Sequence, residues 1–190
     1  MTALTDTINQ IVCLSPDEKI TIEKAFVYRE ISKGDLWINQ GTICSEVAYV
    51  VGGKLRIYHI DDQGNEITCY FVMPDNFISS FSSYLTNTPT NENIMALDDT
   101  VLRVISKSDL EELSVAVPKM HIFRRVIAEN LFITMEKRIA MLQSQTAQER
   151  YERMIIENPN IILSVPLQYT ASFLGITPQH LSRLRKGFLK

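Results

Sequence analysis

The chain has 190 residues, 45% of them hydrophobic and 22% charged, with a net charge of −3 at neutral pH. That composition suits a soluble globular protein with one good core, or a core plus a small satellite domain. No apolar run approaches the roughly 20 residues needed to span a bilayer, and the opening MTALTDTINQIVCLSPDEK lacks the basic start and apolar block of a secretion signal, so a cytoplasmic protein is expected.

Residues 15–26 begin Ser15-Pro16-Asp17-Glu18, a capping box with proline at the first helical position. Ile20, Ala25 and Phe26 give the predicted short helix its apolar side. From about residue 28 to 105, short apolar or alternating runs are divided by turn residues such as Lys33-Gly34-Asp35, Gln40-Gly41, Asp61-Asp62-Gln63-Gly64-Asn65 and Pro74-Asp75-Asn76. Turns this frequent predict an antiparallel sandwich or jelly roll. Gly52-Gly53 between Val47–Val51 and Leu55–Ile60 reads as a two-residue hairpin turn.

Ser106-Lys107-Ser108-Asp109 caps a short helix to about Val115. Pro118 then opens a long helix reaching residue 145 or so, on which Ile127, Leu131, Met135, Ile139 and Leu142 recur at spacings of four and three. A helix of that length exceeds what one small barrel can cover, so the stripe is expected to meet the same helix of a second copy. Cys13, Cys44 and Cys69 are odd in number and widely spaced, which argues against a disulfide framework and a zinc site.

From about residue 147 a third unit follows, interrupted at Asn158-Pro159-Asn160 and restarted at Val165-Pro166. Its charge is unlike the rest. Residues 158–190 hold four basic residues, Arg183, Arg185, Lys186 and Lys190, and no acidic one, whereas residues 1–157 carry a net −7. Such asymmetry points to one segment meeting a polyanion.

The pattern of that segment supports this. Leu167, Ala171 and Leu174 share one face of a first helix. Gly175 can take the positive φ of a sharp turn, Ile176 plugs the corner, and Thr177-Pro178 restarts as N-cap and first helical residue. On the second helix Leu181, Leu184 and Phe188 form the buried side, while Gln179, Ser182, Arg183 and Lys186 lie opposite. Each of those four can hydrogen-bond a base edge or a phosphate, and no carboxylate stands among them to be repelled. This is the plan of a helix-turn-helix with its second helix in the major groove. An ordinary helical hairpin with a solvated face is the commoner pattern, but the glycine joint and the carboxylate-free face favour the DNA reader.

In sequence order, a β-roll, a long helix and a helix-turn-helix resemble the Crp/Fnr-type transcription regulators. The likeness rests on VPLQYTASFLGITPQHLSRLRK in the tail and on KGDLWINQG…YVVGGKLRIYHIDDQGNEITCYFVMPDNF in the barrel. It implies an α+β protein. An antiparallel β-roll (jelly-roll) sensor domain of the cyclic-nucleotide-binding type would span residues 1–117, a long dimerisation helix 118–146, and a helix-turn-helix DNA-binding domain 147–190. Implied partners are double-stranded DNA, a second copy of the chain and RNA polymerase. Carried over by position, Gln179 and Arg183 match base-reading positions, and Thr177 and His180 match phosphate-contacting ones. Pro178 replaces a polar reader and contributes only shape. The chain ends at Lys190, without residues for the β-hairpin wing many members place after the second helix.

The same resemblance argues against the family's usual effector. Its cyclic-nucleotide cassette is Gly-Glu-Leu-Gly followed some ten residues later by arginine. Here the stretch is Ser79-Ser80-Phe81-Ser82, with Ser80 in place of the glutamate and the arginine position falling near Glu92. Between Arg56 and Arg103 there is no Lys or Arg, and a buried monoanion without a cation is costly. Arg124 or Arg125 on the long helix would have to reach in. Three scattered cysteines do not supply the roughly four ligands of an iron–sulfur cluster. His59 or His121 could in principle ligate haem, although a lone histidine is usually a packed or surface residue. No cofactor or metal is expected, and an unknown small-molecule effector remains open.

Two other functions compete. A jelly-roll metal enzyme would need several converging His and carboxylate ligands, and His59 is the sole histidine of the expected barrel, with no Ser/His/Asp or Cys/His set beside it. An interaction dimer that has lost DNA binding would not need the complete polar face of the second helix.

Overall fold

The computed structural model describes residues 3–188. Two helices come first, α1 (Ala3–Asn9) and α2 (Pro16–Ala25). The second starts as its sequence dictates: Ser15 Oγ accepts from the Glu18 amide, and the Glu18 carboxylate accepts from the Ser15 amide at 2.6 Å. Its apolar side differs from expectation. Ile22 and Phe26 are buried, but Ile20 is 53% exposed. α1 was not anticipated; Leu4 and Ile8 bury it in the main core.

Eight strands follow: β1 (Val27–Ile31), β2 (Leu36–Ile38), β3 (Glu46–Gly52), β4 (Leu55–Ile60), β5 (Glu66–Val72), β6 (Phe77–Ile78), β7 (Asn93–Ala96) and β8 (Thr100–Ser106), with helix α3 (Phe81–Thr86) between β6 and β7. They form two four-stranded antiparallel sheets, β1-β8-β3-β6 and β2-β7-β4-β5, packed as a β-roll. The predicted hairpin at Gly52-Gly53 is not one. β3 pairs with β8 and β6 in one sheet, while β4 pairs with β5 and β7 in the other. The two glycines carry the chain across between sheets. Gly53 has φ +86° and lies so close to β8 that a Cβ would sit 2.4 Å from Thr100 Oγ1 and 2.7 Å from the Asp99 carbonyl.

The interior between the sheets is filled by Ile38, Ala48, Val50, Leu55, Ile57, Ile78, Ile94, Leu102 and Val104, while Val47 and Tyr49 lie on the other face of β3, where Tyr49 meets Phe77 and, beyond it, Phe123 of the long helix. Helix α4 (Lys107–Ala116), capped by Ser106 accepting from the Asp109 amide, and the first turns of α5 (Lys119–Ser144) close one end with Leu110, Leu113, Met120 and Phe123. Beyond Ile127 the side chains of α5 are mostly exposed.

The remainder is helical: α6 (Ala147–Glu157), α7 (Pro159–Ser164), α8 (Leu167–Leu174) and α9 (Pro178–Phe188). Thr146 and Glu149 form a second capping box at the start of α6. Tyr151, Met154, Ile161, Val165, Ala171, Leu174 and Leu181 make a second core. That core continues onto the outer face of the second sheet, through Phe71, Met73, Met95 and Leu97. The helical unit therefore packs on the roll and buries a sheet face that would otherwise meet water. Among the described residues no helix is long and apolar enough to cross a membrane.

Candidate nucleic-acid interface and sensor site

The joint between α8 and α9 is built by local chemistry. Gly175 ends α8 in the left-handed region at φ +68°, its N–H bonding back to the carbonyls of Ala171 and Ser172. Thr177 begins α9 as a capping residue: its Oγ1 accepts from the His180 amide at 3.2 Å, and Pro178 occupies the first helical position. Leu181 is fully buried, Leu184 is half-buried and packs on the same core, and Ala171 is buried where the helices come close. The side chain of Phe188 and all of Lys190 lie outside the described residues.

On the opposite side of α9, Gln179, Arg183 and Lys186 are exposed and Ser182 is half-exposed; Thr177 is exposed and His180 is half-buried at the helix start. No carboxylate stands on this helix. Arg185 is used internally, donating to the Ile162 carbonyl at 3.2 Å. The cations left facing outward are thus Arg183 and Lys186. An exposed, carboxylate-free helix face with amide, hydroxyl, guanidinium and ammonium groups can donate to phosphates and to base edges alike.

Three arginines remote in sequence hold α8. Arg138 of α5 donates to the Phe173 carbonyl and stacks on the Phe173 ring, 3.8 Å from its centroid. Arg150 of α6 donates to the Leu174 carbonyl at 2.9 Å and the Gln145 carbonyl at 2.6 Å. Between them they satisfy carbonyls that the end of α8 leaves free. Arg56 of β4 reaches α8 from the roll, lying 3.8 Å from the centre of the Tyr169 ring. Nothing in the local pattern around Arg56 or Arg138 marks them for this role.

In the roll, Ser79, Ser80, Ser83 and Thr90 around α3 are each held by hydrogen bonds to protein groups. Ser80 Oγ contacts Thr90 Oγ1 at 2.7 Å and donates to Glu92 Oε2 at 2.6 Å. Ser79 Oγ donates to the Glu46 carbonyl at 2.8 Å, and Cys44 donates its amide to Ser83 Oγ at 2.9 Å. Ser79 and Ser80 are buried, whereas Phe81 is half-buried and Ser82 exposed. The structure thus brings Ser80 and Glu92 into direct contact. Neither Arg124 nor Arg125 is bonded there: Arg124 grips the Glu111 carboxylate at 2.7 Å and also donates to Ser114 Oγ, while Arg125 lies 3.7 Å from Glu129.

The cation of α5 that faces the second sheet is Arg138. It lies close enough to Tyr70 and Cys69 for their charges to act on it, while burial draws its guanidinium below the usual range. Burial likewise pushes the Cys69 thiol up, reinforced by the Glu92 carboxylate. His59 sits with Nδ1 3.3 Å from Cys69 Sγ, and no group of three His, Cys, Asp or Glu side chains able to hold a metal occurs among the described residues.

The stripe on α5 divides in two. Ile127 packs against the roll core and Leu131 is half-buried, but Met135, Ile139 and Leu142 are 41%, 56% and 44% exposed. Phe132, which the sequence reading passed over, is 70% exposed. Leu131, Phe132 and Met135 also line a cleft of about 750 Å³ whose other wall includes Phe77, Phe81 and Leu85.

Residues 28–115 match the family model of the cyclic nucleotide-binding domain. No curated protein sequence matches the chain. Solved structures similar to it include FixK2 from Bradyrhizobium japonicum, at TM-score 0.75 and 18% identity over 85% of this chain and 83% of that one. A Crp/Fnr-family transcriptional regulator from Eubacterium rectale gives TM-score 0.69 and 18% identity over 93% of this chain and 84% of that one. The c-di-GMP-responsive global regulator CLP of Xanthomonas campestris gives 0.73 and 15%, over 92% of each.

Proposed function

Residues 28–115 form a cyclic nucleotide-binding-type domain within a chain that has the fold of the Crp/Fnr-type transcription regulators, and from that premise we propose that the protein is a homodimeric, DNA-binding transcription regulator. The observation that carries this reading is the face of α9: Gln179, Arg183 and Lys186 point outward together, without a carboxylate, on a helix whose other side is pinned by Leu181. In this reading Gln179 and Arg183 read base edges, Ser182 supports them, and Thr177, His180 and Lys186 meet phosphates.

The second copy is brought by α5. Phe132, Met135, Ile139 and Leu142 are exposed at spacings of three, four and three, the repeat of a coiled-coil seam. Leu131 and Ile127 continue it toward the roll, and a partner helix would cover the adjoining cleft. In this reading cAMP is not the protein's effector, since the cassette positions Ser79, Ser80 and Glu92 bond to protein groups and no cation is bonded to them among the described residues. CLP, which has a similar fold, is c-di-GMP-responsive, and this supports a reading without cAMP. RNA polymerase and a cytoplasmic location belong to the same reading.

Selection of bound sequences from random duplex DNA, followed by a mobility-shift titration against salt, tests the proposal. Enrichment of a two-fold symmetric sequence whose binding weakens steeply with salt supports it. Failure to retain any duplex at low salt would exclude it.

A further inference from the structure

β5 is an edge strand, with β4 on one side and no strand on the other. An edge leaves backbone N–H and C=O groups open to another strand. Here a side chain occupies the place of that missing strand. The Ser172 hydroxyl of α8 accepts from the Thr68 amide at 2.9 Å and donates to the Glu66 carbonyl at 2.9 Å. Beside it, the Arg56 guanidinium lies between two aromatic rings, 4.3 Å from the centre of Tyr58 in its own strand and 3.8 Å from that of Tyr169 in α8. Arg56 Nε donates to Thr68 Oγ1 at 2.8 Å and Nη1 to Glu66 Oε2 at 2.5 Å. The side chain is completely buried, and its Nη2 has no partner among the described residues. The Phe71 and Phe173 rings, 5.4 Å apart, extend the contact.

A fully buried guanidinium is costly unless its charge and N–H groups are matched, and here the Glu66 carboxylate, the Thr68 hydroxyl and two aromatic faces supply that match. Arg56 belongs to the roll, but one of its two stacking partners belongs to the helix that precedes the reader. The contact leaves the reader free, because Gln179, Arg183 and Lys186 are exposed while α8 is docked.

We propose that Arg56 is a positioning residue for DNA recognition: with Tyr169 and Ser172 it fixes α8 on the β4–β5 edge, and so sets the orientation of each α9 relative to its own roll. This rests on the DNA-binding reading given above. In a dimer the two readers then arrive at both half-sites together. Released readers would have to be oriented by the DNA itself, at an entropic cost paid only when both half-sites are engaged.

Three full-length variants, Ser172→Ala, Tyr169→Leu and Arg56→Met, test this against the duplex selected from random DNA and against the same duplex with one half-site scrambled. The expected result is at least a tenfold loss of affinity for the full site, with half-site affinity within twofold of the parent. Hydrogen exchange at the Thr68 amide supplies a readout independent of DNA, and its protection should fall in Ser172→Ala, which removes the hydroxyl without disturbing the roll. An unchanged ratio of full-site to half-site affinity once Thr68 protection is lost overturns the proposal. So does tighter binding of the variants to the full site, which would make the contact inhibitory, or an unprotected Thr68 in the parent protein. If the parent binds no duplex, the DNA-binding reading fails, and the positioning role falls with it even where the Thr68 amide is protected.

Discussion

Ser80 Oγ and Thr90 Oγ1 lie 2.7 Å apart, both buried, with the Glu92 carboxylate accepting from Ser80 at 2.6 Å. A cyclic phosphate entering here would meet a carboxylate and no bonded cation, so its desolvation would go uncompensated. Calorimetry should therefore show no saturable binding of cAMP or cGMP at physiological concentrations. Micromolar binding of either would refute this account of the sensor.

The seam on α5 makes a second prediction. Replacing Phe132 and Met135 with Glu puts two charges where the proposed partner helix packs, on side chains that are 70% and 41% exposed in the single chain. Exposed positions tolerate charge within the fold, so sedimentation should find a folded monomer in place of a dimer. A parent protein that is monomeric at micromolar concentration would contradict the seam itself.

Arg183 and Lys186 should separate cleanly. From its place one turn after Gln179, Arg183 can give a bidentate contact to a guanine, which discriminates against the wrong base by about 1–3 kcal/mol. Arg183→Ala should relax preference at one guanine per half-site, whereas Lys186→Ala should weaken all sequences alike and flatten the salt dependence. Affinities for operators carrying each base at that position measure the difference. Uniform weakening by Arg183→Ala would make Arg183 a phosphate contact.

Two-fold symmetry fixes the form of the operator. Half-sites should be centred about one helical turn apart, roughly 34 Å, and inserting half a turn of DNA between them should bring binding down to that of a single half-site. Equal affinity for the extended and original spacings would show that the readers are not held in a fixed relation.

Stability at high pH should depend on Tyr49. Burial, and then its 2.6 Å hydrogen bond to Asp75, push its hydroxyl up to about 12 from the ordinary 10. The folded state thus holds this proton more tightly than the unfolded one. Its contribution is fully present below pH 10, declines as pH rises from 10, and is gone above about 12. Denaturant unfolding between these limits should show a shallower loss of stability for Tyr49→Phe than for the parent protein. Parallel slopes would place the alkaline sensitivity elsewhere.

Features written in neighbouring residues were legible in the sequence. The capping box at Ser15 and Glu18, the Gly175 joint, the Thr177-Pro178 restart and the alternation of buried Leu181 with outward Gln179, Arg183 and Lys186 each depend on backbone geometry within one or two turns. The long helix was legible for the same reason, because its apolar spacing is periodic. Local pattern could not say which sheet a strand joins. Gly52-Gly53 has the composition of a hairpin turn, yet β4 finds its partners in β5 and β7, because strand pairing is decided by contacts between residues far apart in the chain. Nor could it say that Ile127 would pack on the roll while Phe132 stands out, since one helix face meets different neighbours along its length. Arg56 shows the limit most sharply. In sequence it is a charged residue in an alternating strand, and only the docking of α8 across the sheet, bringing Tyr169 and Ser172 more than a hundred residues along the chain to its side, turns it into a buried pin.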